Sequence, residues 1–146
     1  MIRSSCSIVW PVGLPGATFH SRTTPFPPPV TIRVPSRLTG EDLGANPVEH
    51  LLNALAGCLT STLVYHAAIR GIKIDELESE LEGDLDLRGF LGLSKDVRKG
   101  YQNIRVNFKV KTDAENLNRL KALSKLSPVF DVTSHGTNVD IQIESK

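Results

Sequence analysis

The chain has 146 residues, 40% of them hydrophobic and 23% charged, with a formal net charge of +1 at pH 7. That balance suits one soluble globular domain with a real core, and it argues against a nucleic-acid or membrane-surface binder held by bulk charge. Two cysteines, Cys6 and Cys58, are too few for a disulfide framework and point to a reducing, cytoplasmic setting.

Charge and proline are unevenly spread. Residues 1–40 hold Arg3, Arg22, Arg33 and Arg37 and no acid, leaving 13 basic and 16 acidic side chains in the rest. Seven of the nine prolines lie in the same stretch, which opposes the amphipathic helix of a transit peptide. No run reaches the roughly eighteen apolar residues that a membrane span needs.

Residues 1–17 read as an irregular N-terminal arm without periodicity, and residues 18–146 as a single domain. Phe26-Pro27-Pro28-Pro29 must be extended, Val30 to Val34 alternates as a short strand, and 39–45 is a loop. A helix start follows, with Asn46 at the N-cap, Pro47 at the first helical position and Glu49 at the third. Arg70 and Gly71 mark its end, about 24 residues later. From Leu51 to Leu59 this helix is apolar nearly all round and must be covered on several sides. Ala54, Ala56 and Gly57 would let another helix approach closely.

Leu77, Leu81, Leu85 and Leu87 alternate with acids, predicting a strand with one wet face and a bulge at Gly83. Residues 88–101 read as a loop, and Ile104, Val106, Phe108 and Val110 as a strand. Asp113 should cap a helix of about a dozen residues carrying Leu117, Leu120 and Leu123. Ser127 and Pro128 open a short helical turn by the same logic, and Val139, Ile141 and Ile143 make a last strand. The order β, α, β, β, α, β predicts an α+β fold with helices on one side of an antiparallel sheet.

Cys58 is the residue with chemistry to weigh. It lies about three turns into its helix, beyond effective reach of the macrodipole, so a reactive thiolate would need a cation or donor from elsewhere. The plain alternative is a small core hydrophobe. Glu49 is nine residues away, about 13 Å along the axis, and is accounted for as a capping carboxylate. His50 and His66 each stand eight residues from Cys58; His20 and His135 are isolated. No histidine or cysteine pair has metal-ligand spacing, and no cofactor motif is present. Phe90, Leu91 and Leu93, apolar in a loop, are either a tucked-in cluster or one wall of a pocket.

The stretch from Gly40 to Tyr65, including Asn46-Pro-Val-Glu-His-Leu-Leu-Asn-Ala-Leu-Ala-Gly-Cys58, resembles the OsmC/Ohr family of thiol-dependent peroxidases. Glu82-Gly-Asp-Leu-Asp-Leu-Arg-Gly-Phe-Leu-Gly-Leu93, Gly100-Tyr-Gln-Asn-Ile104 and Leu126-Ser-Pro-Val129 extend the resemblance, which covers about 18–146. It implies an intertwined homodimer built on two long central helices, with Cys58 attacking an organic hydroperoxide. It assigns the activating arginine to the His20–Thr24 segment, hence Arg22, with Arg33 as the fallback. The carboxylate that orients the arginine has Val48 at its strict position, which leaves Glu49 to substitute. Phe90, Leu91 and Leu93 then line the substrate pocket. Ser127 stands where the family's peroxide reductases carry their second redox cysteine, and serine cannot close the resolving disulfide. Turnover then needs an external thiol, because Cys6 sits in the unmatched arm. Three functions follow from these residues: a one-cysteine hydroperoxide reductase, a catalytically silent dimeric binder of a small hydrophobic ligand, or another covalent thiol reaction at Cys58.

Overall fold

The computed structural model describes residues 2–11 and 46–145. Strand β1 (Ile2–Pro11) is followed by helix α1 (Pro47–Ile69), strand β2 (Glu76–Leu85), the one-turn helix α2 (Leu87–Phe90) and strand β3 (Tyr101–Lys111). A 3-10 turn (Ala114–Asn116), α3 (Leu117–Ser124) and α4 (Pro128–His135) complete the order. The strands form one antiparallel sheet in the order β1-β2-β3, and α1 lies against β1, β2, α3 and α4. This is an α+β fold, as the pattern predicts.

Helix α1 begins where its cap residues require. The Asn46 side chain accepts from the amides of Val48 and Glu49, and Glu49 Oε2 accepts from the Asn46 amide at 2.8 Å. At the other end Arg70 is the C-cap and Gly71 takes a φ of 65°, the left-handed conformation that glycine adopts without strain. Leu52, Leu55, Ala56, Leu59, Thr60, Leu63 and Ala67 are buried, a stripe at helical spacing that faces the sheet. Each fully buried leucine contributes roughly 1.5–3 kcal/mol. By length and mean hydropathy (1.3 over its best window) α1 could cross a membrane, although its apolar residues form no unbroken run of that length. Here its apolar stripe packs on the sheet instead.

The core divides into three steps along α1. Leu52 meets Leu85 and Tyr101; Leu55, Ala56 and Leu59 meet Leu81; Leu63 and Ala67 meet Leu77, Leu120 and Leu123. One buried polar pair interrupts the interface, Thr60 Oγ1 donating to Ser79 Oγ at 3.4 Å. On the outer face of the sheet, Arg105 bridges Glu82 and Asp84, and Lys109 reaches Glu78 at 3.3 Å. Past β2, Arg88 forks onto Asp86 at 2.6 Å and holds its carboxyl down at about 2.

Several expectations need correction. Residues 2–11, read as an irregular arm, form β1, with Cys6 in register with Leu81. Gly83 is not the bulge, which falls between Asp84 and Leu85; Leu87 belongs to α2. The helical stretch expected after Asp113 is present from 114 to 124, but its first turn is 3-10 and only 117–124 is α-helix, and the Asp113 side chain makes no cap bond. Residues 136–145 form no strand. Their alternation is present, but a strand also needs an edge to satisfy its backbone, and Val139, Ile141 and Ile143 stay exposed, Ile143 at 91%. The strand expected at Val30–Val34 and the loop at 39–45 lie outside the described residues.

Gly83 has a different purpose from the one expected. The Tyr101 ring lies over it, so that an added Cβ would come within 2.7 Å of Cδ1, and the Tyr101 hydroxyl donates to Val48 O at 2.9 Å. This ring ties β3 to the first turn of α1. Gly83→Ala should therefore cost about 1–3 kcal/mol through overpacking. The check is a lowered thermal midpoint with the far-ultraviolet spectrum retained; an unchanged midpoint would contradict the placement of the ring.

Candidate functional site

Cys58 is half-buried, at the margin between the buried stripe of α1 and its uncovered side, rather than sealed in a core. Its sulfur meets one polar group among the described residues. Ser127 Oγ lies 3.1 Å from Cys58 Sγ, 69 positions away in the chain. Ser127 is fully buried.

Local sequence explains why Ser127 is there. As N-cap of α4, its Oγ accepts from the Phe130 amide at 3.3 Å, and Pro128 follows at the first helical position. Val129 and Phe130, on the first turn of α4, pack against Leu55, Ala56 and Leu59. That contact seats the α4 N-terminus beside Cys58. The arrangement pairs a nucleophilic atom with a hydroxyl that can give it a hydrogen bond, in a half-sheltered place.

An apolar groove of about 370 Å³ opens between β3, α3, α1 and α4, and neither Cys58 nor Ser127 is among its lining residues. Leu59, Leu63, Phe108, Leu120 and Phe130 are among its walls, and Lys121 and Ser124 supply its polar side chains. Leu59 follows Cys58 in sequence, and the Phe130 amide donates to Ser127 Oγ, so groove and pair are linked through α1 and the first turn of α4. The groove residues read from sequence, such as Phe108 and Leu120, were expected as core positions of a strand and a helix, not as a site. The usable signal was the three-residue step from Ser127 to Phe130 across a Pro-initiated turn, together with the inward face of β3.

The remaining site candidates are scattered. Phe90, Leu91 and Leu93 are exposed, Leu93 at 73%, and none lines the groove. Among the described residues they are not a tucked-in cluster. Glu49 is engaged in the capping box. Arg22 and Arg33 lie outside the described residues. Arg88 and Arg105 are paired with carboxylates of β2 and its extension. His66 Nδ1 is 2.9 Å from Arg70 Nη1, and His135 pairs with Asp131. Among the described residues no three His, Cys, Asp or Glu side chains gather as metal ligands would.

The 3.1 Å approach makes a direct prediction. With Ser127→Cys in a Cys6→Ser background, mild oxidation should join residues 58 and 127, seen by peptide mapping as loss of both thiols. If both thiols stayed free, the facing arrangement of α1 and α4 would be wrong.

A family model described as "OsmC-like protein" matches residues 40–142, more than two thirds of the chain. No curated protein matches the chain.

Proposed function

The chain belongs to the OsmC-like family, and on that premise we propose that it is a thiol-dependent hydroperoxide reductase working through one peroxidatic cysteine, Cys58. The observation that supports this most is the 3.1 Å separation of Cys58 Sγ and Ser127 Oγ. The residue at the family's second-cysteine position sits against the nucleophile, with oxygen in place of sulfur.

In the proposed reaction the Cys58 thiolate attacks the outer oxygen of an organic hydroperoxide. An S–O bond forms as the O–O bond breaks, two electrons pass from sulfur to the peroxide, and the alkoxide takes up a proton to leave as alcohol. Arg22 is the proposed activating cation, Glu49 its orienter, and Phe90, Leu91 and Leu93 the apolar walls, supplied at a homodimer interface. Ser127 cannot displace the sulfenic hydroxyl as a thiol would, so an external thiol forms a mixed disulfide and releases water. A second thiol then restores Cys58. That need fits a reducing cytoplasm.

Two uncovered features favour the homodimer. Leu51, Ala54, Cys58, Ser61, Tyr65 and Ala68 repeat at alternating steps of three and four along α1, the spacing of a helix–helix seam, and Tyr65 is 58% exposed. Val139, Ile141 and Ile143 form a second apolar row without cover. Light scattering should give about twice the 16.0 kDa chain mass, and Tyr65→Asp should shift the mass toward one chain. A wild-type monomer would remove this part of the proposal.

The rival reading is a dimeric binder of a small hydrophobic ligand, silent in redox chemistry; the groove of about 370 Å³ favours it. Stopped-flow mixing with cumene hydroperoxide separates the two. The reductase should oxidise at Cys58 much faster than a free thiol does. A rate no faster, with Cys58→Ser still retaining a hydrophobic ligand, would select the binder.

A further inference from the structure

We propose that Ser127 is a positioning residue for Cys58, its hydroxyl donating to the thiolate and holding the sulfur at the N-terminus of α4. This rests on the reading of Cys58 as a nucleophile and gives Ser127 a role of its own, beyond marking an absent second thiol.

The direction of the hydrogen bond follows from what surrounds the hydroxyl. Ser127 Oγ accepts from the Phe130 amide at 3.3 Å, which engages one lone pair and leaves the hydroxyl proton for another acceptor. Cys58 Sγ is that acceptor, at 3.1 Å. A thiolate has no proton to give, so in the reactive state the hydroxyl must be the donor. Ser127 is fully buried, so little water competes for the proton. The capped amides of α4 add a weaker favourable field from the same side.

The expected size is moderate. A hydrogen bond to a charged group changes an equilibrium about 10- to 100-fold. Roughly half of that, on a logarithmic scale, is returned as lower intrinsic nucleophilicity of the stabilised sulfur. The net advantage at neutral pH is about 3- to 10-fold.

The test is the rate of Cys58 alkylation by iodoacetamide at pH 7 in the full chain with Cys6→Ser. Ser127→Ala should slow it about 3- to 10-fold, and Ser127→Thr, which keeps the hydroxyl, should restore it. Ser127→Asp keeps a good cap acceptor for α4 but gives no proton as a carboxylate, so it should be at least as slow as Ser127→Ala. Unchanged rates in the Ala and Asp variants would overturn the proposal. So would equal slowing in all three, which would mark a purely structural role. Alkylation needs no peroxide, so slow wild-type reaction with cumene hydroperoxide would remove the reductase reading and leave this one standing.

Discussion

A 23-residue helix with apolar side chains on more than one side must be covered on more than one side, and the rest of the chain is arranged around that requirement. The sheet covers one stripe of α1, from Leu52 to Ala67, through Leu85, Leu81 and Leu77 of β2. Helices α3 and α4 add flanking contacts through Leu120, Leu123, Val129 and Phe130. What is left is the seam through Leu51, Ala54, Ser61 and Tyr65, with Cys58 on its margin. The Cys58 sulfur is therefore neither in the core nor free on the surface. It stands where two kinds of cover meet, which suits a nucleophile that must be sheltered and still be reached.

The site depends on α4 more than its length suggests. Eight residues cannot hold a helix together alone, and none of those from Pro128 to His135 is fully buried. What fixes α4 is its first turn: the buried Ser127, its bond from the Phe130 amide, and the contacts of Val129 and Phe130 with α1. Capping and apolar contact are here a single device. The residues that start the helix are the ones that set the polar environment of the sulfur.

How much could be read in advance depends on how far the determining interaction reaches. The start of α1 was legible because Asn46, Pro47 and Glu49 satisfy one another within a turn, and Ser127 with Pro128 works the same way. The acidic–leucine alternation of β2 was equally plain. β1 was missed because Val9 between Ile8 and Trp10, and the serines before them, blur the period, while its pairing partners lie 65 to 83 residues away. The tail at Val139 to Ile143 shows the opposite failure: its alternation is clean, but alternation cannot supply an edge to pair with. The exposure of Phe90 and Leu93 and the meeting of Cys58 with Ser127 are long-range facts; spacing was silent on them, and only the family resemblance put the last pair side by side.

The buried Thr60–Ser79 pair works as an index pin between helix and sheet. Thr60 is two residues beyond Cys58, so turning α1 to make room at the sulfur would drag the Thr60 hydroxyl off Ser79 and toward the surrounding leucine side chains. The sheet side is thereby the stiff jaw of a vice. An atom added to sulfur on the Ser127 side would press on the looser jaw, the short α4, before it could tilt the long helix.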